Sequence, residues 1–208
     1  TDDTSATVDR YRSSLPLTVL HAEERLGYGR AVERLLREAV ELAPYPKRDC
    51  AVVLQADFTE DPADLETLVK AIEGGADIVS GSEERNGHPR PRAVRVARWM
   101  APLVLGRAFN RAPVSDPLCG FRAYRIIVLK KAFRDDGRRL ARTDGRWGAS
   151  LELLGALAPH ARRIEESPVA LRYDLMTRES RFHPVRVLRD LIGLRGMTYG
   201  SAAGDGTT

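Results

Sequence analysis

A short apolar run at residues 51–55 stops abruptly at a polar, acidic stretch that contains Asp57, Asp61 and Pro62. The valines of this run indicate a buried parallel strand, and the apolar spacing after Pro62 indicates the start of a helix. Ligands of open α/β sheets bind at the carboxyl ends of the strands. Asp57 is therefore predicted to lie at a ligand-binding edge, and the alternative is that Asp57 and Asp61 only cap the next helix.

Strand-like and helix-like patterns alternate along most of the chain. Such alternation predicts an α/β fold in which a mostly parallel central sheet has helices on both faces and the crossovers are right-handed. Pro102 is expected to kink or divide the helix that contains it. Strands are predicted at 15–21, 51–55, 76–79, 121–127 and 161–171, helices within 1–13 and at 31–42, 65–72, 92–111, 149–158 and 182–194, and polar loops at 83–91 and 172–181.

Two glycines, Gly27 and Gly29, precede the helix predicted at residues 31–42. A Gly-x-Gly turn that opens a helix lets backbone N–H groups approach a phosphate, and the alternative is a tight turn without a ligand. The complete Gly-x-Gly-x-x-Gly fingerprint is absent, so the sequence does not support a dinucleotide site.

The length of the chain limits the number of domains. Its 208 residues are enough for a single globular domain, predicted at 1–200, and the small polar residues at 201–208 are predicted to be a disordered tail. No apolar run approaches the roughly 20 residues that a membrane-spanning helix needs. Two cysteines, Cys50 and Cys119, are too few for a disulfide framework or a zinc site and indicate a reducing, cytoplasmic compartment.

The chain is modestly basic, with a net charge of +4, and nearly all of its basic residues are arginines. Arginine suits bidentate phosphate binding, although a coding bias would also explain the number. Arginines alternate with apolar residues around Trp99 in the segment 92–111. A helix of this kind can lie on an anionic membrane surface. The alternative is a core helix with a solvated arginine face. Aromatic residues make up only 6% of the chain and form no recognisable nucleic-acid-binding module, so no nucleic-acid partner is expected.

Two further stretches contain candidate site residues. Asp116 and Pro117 form a predicted turn, and Gly120 permits a close approach of the backbone. Glu152 lies inside the apolar run 151–154, and carboxylates are seldom buried without a partner. Glu152 is therefore either a site residue or part of a solvated helix face.

Several stretches, taken in order along the chain, resemble the family 2 glycosyltransferases of the GT-A fold. The resemblance covers nearly the whole chain and is closest to the polyprenyl-phosphate (dolichol-phosphate-type) mannosyl- and glucosyltransferases. The stretches are 24–31 (a glycine turn before a helix), 55–58 with Pro62 (the Asp-x-Asp region), 80–82 (an "SGSR" strand end), 116–124 (a "D-x-x-SGFRAY" block), Glu152, 166–169 (an "E-V-P" element) and 180–181 (an "S-K" element).

The resemblance implies an inverting enzyme that moves a hexose from a nucleotide-diphosphate sugar to a polyprenyl phosphate. This lipid phosphate acceptor places the enzyme at the membrane surface, as a peripheral protein on the cytoplasmic, inner face. Asp57 and Asp116 would be the catalytic residues, and Mg²⁺ or Mn²⁺ would be bound by Asp57, Gln55 and Thr59. The implied substrate-binding residues are Gly27, Gly29, Gln55, Ser82, Gly120, Phe121, Arg122, Glu152, Arg178, Ser180 and Arg181. Among them, Arg122, Arg178 and Arg181 would hold the acceptor phosphate.

The chain departs from the family pattern at three positions, two of them within these stretches. Gln55 stands where the first carboxylate of Asp-x-Asp is usual, which removes one negative charge from the metal site. Cys119 replaces the usual serine. Leu175 stands near the position of a family arginine, so Arg172 or Arg178 would have to substitute for it.

A fourth departure concerns the first residues. Residues 1–4 resemble the end of the family's "DDGSTDDT" strand end, so the first strand and the base-binding residues are expected upstream of residue 1. Two alternatives stay open: a transferase of the same fold that uses a soluble or polysaccharide acceptor, and a non-catalytic nucleotide-sugar binder.

Overall fold

The computed structural model describes residues 4–83, 90–136, 139–175 and 184–199. These residues form four strands, β1 (Cys50–Val53), β2 (Ile78–Glu83), β3 (Arg122–Arg125) and β4 (Ile164–Val169). They also form eight α-helices, α1 (Thr4–Asp9), α2 (Tyr28–Leu42), α3 (Leu65–Glu73), α4 (Arg92–Leu105), α5 (Arg107–Asn110), α6 (Ile126–Asp136), α7 (Arg146–Leu157) and α8 (Pro184–Ile192). Short 3₁₀ turns lie at Pro62–Asp64, Ala158–His160 and Tyr173–Leu175.

The four strands form one mixed sheet in the order β1-β3-β2-β4. β2 and β4 are parallel, whereas β3 lies between β1 and β2 and is antiparallel to both. Three strands thus share one direction, and β3 alone of the described strands opposes them. The α/β fold of the GT-A type is confirmed, but the sheet is less parallel than the sequence predicted.

Helices cover both faces of the sheet because adjacent strand residues point to opposite sides. Ile78 and Tyr124 face a core built with α2, α6 and α7. Their neighbours Val79 and Ala123 face the other side, where they pack on α3. Every one of these four side chains is at most 2% exposed, so both faces contribute to the core.

A third apolar cluster lies beside the sheet, between α4, α7 and α8. Helix α4 runs without a break through Pro102 as far as Leu105. The division predicted at Pro102 falls instead at Gly106, whose φ of +53° ends α4 before α5 begins. Glycine adopts this conformation without the steric cost that a side chain would add.

Two predicted elements differ from the structure. Residues 16–22 form no strand, although one was predicted at 15–21. The strand predicted at 121–127 ends at Arg125, and the chain continues directly into α6, which the sequence did not predict. A short apolar run does not distinguish a strand from a buried helix, and here residues 126–129 are the first turn of that helix. The predicted loop residues 84–89 and the tail at 201–208 lie outside the described residues.

Candidate active site

A cleft of about 1430 Å³ runs between β1 and α2 and extends beyond the carboxyl end of β1. Its wall is built from the turn after β1, the N-terminal end of α2 and the first residues of α7. Among its lining residues are Gln55, Asp57 and Thr59 of the turn, Tyr28 of α2 and Arg146 of α7. The sheet edge predicted to bind a ligand therefore faces this cleft.

Asp57 lies in this cleft and does not cap a helix. Its Oδ1 accepts a hydrogen bond from the backbone N–H of Thr59 at 3.0 Å and another from the Thr59 hydroxyl, and both bonds close the turn. Phe58 between them has a φ of +62°, which tightens the turn. Asp61, in contrast, caps the 3₁₀ turn at Pro62–Asp64 by accepting from the N–H of Ala63 at 2.9 Å. Asp57 thus lies at the predicted ligand-binding edge, whereas Asp61 has the capping role that was the alternative.

A buried ion pair that the sequence did not predict lies beside Asp57. Arg146 donates from Nη1 to Gln55 Oε1 at 2.8 Å and from Nη2 to Glu60 Oε1 at 2.5 Å. The other Glu60 oxygen accepts from the N–H of Gln55 at 2.7 Å. Burial raises the pKa of Glu60, and the charge of Arg146 only partly offsets this rise. Burial lowers the pKa of Arg146, but Glu60 and further ionisable neighbours outweigh this effect, so the pKa of Arg146 is raised overall. The only sequence signal was the position of Glu60 three residues after Asp57.

Gly27 lies just before α2 and Gly29 lies in its first turn, and both serve mainly for packing. Gly27 has a φ of +79°, which allows Tyr28 N–H to bond the carbonyl of Asp144 at 3.0 Å. A Cβ at Gly29 would lie 2.5 Å from the carbonyl oxygen of Thr143, so this glycine permits the close approach of two backbone segments. Gly27 lines the cleft, whereas Gly29 does not.

Gly120 makes room for the cleft side chains without lining the cleft. A Cβ at this position would lie 3.0 Å from the Tyr28 hydroxyl oxygen and 3.4 Å from Arg146 Nε. A larger residue would therefore push Tyr28 and Arg146 toward the open space. The structure gives Gly120 an indirect role in the site.

A second pocket, of about 360 Å³, lies between α4 and the loop before β3. Asp116 is one of its lining residues, together with Arg90, Arg95, Arg98 and Trp99. Asp116 Oδ2 accepts from Arg98 at 2.6 Å, and its Oδ1 accepts from the N–H of Leu118 at 3.1 Å. The two residues predicted to be catalytic, Asp57 and Asp116, thus line separate pockets.

Arg98 forms part of the wall between the two pockets. Its guanidinium carbon lies 5.7 Å from the ring centroid of Trp147, which belongs to the lining of the larger cleft. Burial lowers the pKa of Arg98, but the charge of Asp116 and the hydrogen bond to it act in the opposite direction. The pKa is raised overall, so the guanidinium stays charged. Glu83 contributes a second carboxylate, which bonds Arg90 at 2.6 Å and lies 3.7 Å from Arg98.

Ser82 and Glu152 support loops instead of lining either pocket. Ser82 Oγ lies 3.4 Å from the hydroxyl of Ser115, which in turn donates to Glu166 at 2.7 Å. Glu152 Oε2 accepts from the N–H groups of residues 142 and 143 at 2.9 and 2.8 Å. Glu152 therefore anchors the loop that packs on Gly29; it is half-buried and does not line the cleft.

Two further predicted binding residues are buried in the core. Phe121 is fully buried among the side chains packed on α3. Arg122 is also fully buried and donates to Ser80 Oγ at 3.0 Å and to the carbonyls of Ser150 and Pro117 at 2.6 and 2.7 Å. The structure does not expose Arg122 to an acceptor phosphate. Arg178, Ser180 and Arg181 lie outside the described residues.

The comparison with protein families identifies the chain. The model of glycosyl transferase family 2 matches residues 1–133, well over half of the sequence. The chain belongs to this family. Membership makes the protein a glycosyltransferase whose substrates are a nucleotide-sugar donor and an acceptor. No curated protein matches it significantly.

The matched region contains Asp57, Glu60 and Asp116 of this glycosyltransferase but ends before Arg146 and Glu152. The cleft therefore combines side chains from the matched region with the first residues of α7, which follow it. In the part of the chain that the structure describes, no helix is both long enough and apolar enough to span a bilayer.

The residues predicted to bind a divalent cation do not fit that role well. The amide oxygen of Gln55 is bonded by Arg146, and the hydroxyl of Thr59, in a residue only 1% exposed, donates to Asp57. Of the three residues, only Asp57 has a carboxylate. Its Oδ1 accepts from Thr59, and its Oδ2 has no hydrogen bond to a described residue. Among the described residues there is also no cluster of three or more His, Cys, Asp or Glu side chains arranged to hold a metal.

Proposed function

We propose that this glycosyltransferase transfers a hexose, with inversion at the anomeric carbon, from a nucleotide-diphosphate sugar to a polyprenyl phosphate at the inner face of the membrane. The pocket at Asp116 is the observation that carries the proposal. It combines arginines with Trp99, which is 72% exposed on the same helix. A polyprenyl phosphate has the matching chemistry, because its anionic headgroup is joined to a long apolar chain.

The charge in the pocket favours an anion. Arg90, Arg95 and Arg98 line it, whereas, among the described residues, two carboxylates, those of Glu83 and Asp116, bond to these arginines. Arg95 is exposed and forms no ion pair with another described residue. Guanidinium groups bind phosphate through two parallel hydrogen bonds, and the bonds are strong because both partners are charged.

The surface next to the pocket is apolar. Val96, Trp99 and Leu103 lie three and four residues apart on α4, so they form one stripe, and they are 51, 72 and 66% exposed. Exposed arginines at 92, 95 and 107 flank the stripe. Amphipathic helices with a basic border and an aromatic residue lie in the interface of anionic membranes. This stripe therefore supports a membrane-embedded acceptor over a soluble one.

The proposed reaction needs no strong general base. A phosphate oxygen of the acceptor is already ionised, attacks the anomeric carbon and forms the new carbon–oxygen bond. The bond from that carbon to the diphosphate breaks, and its electron pair leaves with the nucleoside diphosphate. Asp57 faces the donor in the cleft, and Asp116 holds Arg98 in place at the acceptor side. The predicted Mg²⁺ or Mn²⁺ stays a prediction, since its donor set is incomplete.

Transfer to polyprenyl phosphate in anionic vesicles tests the proposal. The full chain is given nucleotide sugars, and both glycolipid and released nucleoside diphosphate are measured. A Trp99→Ser, Leu103→Ser variant is expected to lose vesicle binding and transfer by about tenfold or more, since two apolar anchors are removed. Leu42→Ser, at a residue 60% exposed on α2, is the control that should behave like the unmodified protein.

Two results would contradict the proposal. If the protein does not bind anionic vesicles and transfers sugar to soluble acceptors, the acceptor is not a lipid. If no nucleoside diphosphate is released with any acceptor, and Asp57→Ala behaves identically, the protein is a binder without transferase activity.

A further inference from the structure

Arg146 contacts Gln55, one of the three residues to which the sequence had assigned a divalent cation. Its Nη1 and Nη2 atoms bond Gln55 and Glu60, which flank Asp57 on either side in the sequence. The Arg146 side chain is 25% exposed and lines the cleft, whereas the Glu60 side chain is fully buried. The guanidinium is therefore the part of this ion pair that a ligand in the cleft can contact.

The contacts of Arg146 leave hydrogen-bond donors for a ligand. A guanidinium has five N–H donors, and one donor from each of the two terminal nitrogens is used in the described contacts. Nε is buried without a described partner, so one N–H on each terminal nitrogen is left for a ligand. Glu60 balances the charge of Arg146 and holds the guanidinium plane in one orientation. Preorientation of this kind matters because a donor already aimed at developing charge needs no rearrangement during the reaction.

The position of Arg146 at the start of a helix adds to its positive field. Arg146 is the first residue of α7, a helix of 12 residues, and no side chain caps the helix N-terminus at Gly145. Gly145, Arg146 and Trp147 all line the cleft. The N-terminal end of a helix carries a partial positive charge that favours an anion nearby.

We propose that Arg146 takes the electrostatic role of the divalent cation: it binds the diphosphate of the donor and stabilises the charge that the nucleoside diphosphate gains as it leaves. Arg146 would donate N–H groups to diphosphate oxygens while the bond to the anomeric carbon breaks. The inference depends on the nucleotide-sugar donor of the family and on donor binding in this cleft, as in the proposed function. It does not depend on the lipid acceptor.

Calorimetric titration of the full chain with UDP and GDP, in EDTA and in Mn²⁺, tests the inference without requiring turnover. At least one of these nucleotides is expected to bind equally well under both conditions. Arg146→Gln should weaken that binding about 10- to 100-fold, the loss expected for charge-assisted hydrogen bonds. Arg142→Gln is the matched control, because Arg142 is exposed, lies four residues earlier and does not line the cleft.

A second variant separates binding from structural support. Glu60→Gln removes the carboxylate but leaves Arg146 in the cleft, so nucleotide binding should be retained or become stronger. If Arg146 served only to neutralise Glu60, the Glu60→Gln and Arg146→Gln variants would weaken binding alike. Circular dichroism of each variant shows whether the fold is kept, and a double Glu60→Gln, Arg146→Gln variant avoids an unpaired buried carboxylate.

Binding that disappears in EDTA would overturn the inference, as would an Arg146→Gln variant that binds nucleotide like Arg142→Gln. Neither outcome affects vesicle binding, which depends on α4. If the lipid-transfer assay fails but nucleotide still binds without a metal, the proposed lipid acceptor is rejected. The role of Arg146 is unaffected by that result.

Discussion

The arginines of this glycosyltransferase differ in how many hydrogen bonds their guanidinium groups form with other parts of the protein. Arg122 is fully buried and bonds three groups, and Arg125 bonds Asp77 and the backbone carbonyls of Lys47 and Ala76. Arg146 and Arg95 reach open space instead. A sequence motif does not separate these groups, because burial follows from the neighbours that tertiary packing brings.

Cys119 shows how strongly burial alters a single residue. Its thiol is buried in the core, and burial, with the nearby charge of Asp116, raises its pKa to about 11 although Arg122 opposes the rise. The thiolate is the reactive form of cysteine, so this residue should be inert at neutral pH.

We predict that the stability of the protein falls as the pH rises above about 9. Cys119 keeps its proton to about pH 11 in the folded state, while the unfolded thiol ionises near pH 9, so the unfolded state binds fewer protons between these values. The free energy of unfolding should then fall by up to about 1.4 kcal/mol per pH unit from this group. Urea denaturation at several pH values measures the slope.

Cys119→Ser is the control for this prediction, because other groups also titrate at high pH. The variant should show a shallower slope than the unmodified protein between pH 9 and 11, and equal slopes would contradict the prediction. Below pH 9 the thiol is protonated in both states, so its contribution there is constant.

At the scale of the elements, the loop between α6 and α7 positions the cleft. Glu152 of α7 bonds two N–H groups of this loop, and the same loop packs on Gly29 and bonds the N–H of Tyr28. Three elements that line or support the cleft, α2, the loop and α7, are thereby joined. Glu152 acts through this loop and touches no part of the cleft.

We predict that Glu152→Ala destabilises the loop and weakens nucleotide binding. Two backbone N–H groups would lose a charged acceptor, and losses of this kind cost about 1–3 kcal/mol. Hydrogen exchange should accelerate at residues 142 and 143, and the variant should unfold at lower urea concentration. Glu41→Ala, at an exposed site on α2, should change neither measurement. Unchanged exchange at residues 142 and 143 would show that Glu152 does not anchor the loop.

At the scale of the whole molecule, an exposed apolar stripe borders only one of the two pockets. The large cleft lies at the end of β1, whereas the Asp116 pocket lies beside the exposed stripe of Val96, Trp99 and Leu103. The pockets adjoin through Arg98 and Trp147. A donor in the first pocket and a membrane-bound acceptor in the second would approach from different sides.

We predict that vesicle binding depends on both lipid charge and salt. Arginines near the stripe are attracted to anionic lipids by about 1 kcal/mol each, and salt screens this attraction over a distance of roughly 10 Å at 0.1 M. Flotation with anionic vesicles should therefore decrease between low and high salt, and neutral vesicles should bind less protein. An Arg95→Gln variant should depend less on salt than Arg48→Gln, whose site is exposed but distant in sequence from the stripe. Binding that ignores salt and lipid charge would be inconsistent with an arginine-bordered interface.

The sequence alone was sufficient for those features that depend on local pattern. The apolar periods predicted α2, α3 and α7 and the strands at β1, β2 and β4, and the acidic stretch after β1 predicted that Asp57 faces a cavity. These predictions succeed because side-chain periodicity and strand ends are properties of short segments. The family resemblance was likewise carried by short motifs, and the family match confirms membership of glycosyl transferase family 2. The resemblance to the polyprenyl-phosphate subgroup stays a prediction.

Tertiary structure decided which of the candidate residues reach open space. Arg122 and Phe121 became core residues, Glu152 became a loop anchor, and Arg146, 91 positions from Gln55, met it in the cleft. The direction of β3 and the conversion of residues 126–136 into a helix were also decided at this level. Each depends on contacts between segments far apart in the chain, and the energy of such contacts is not encoded in the local pattern of either segment.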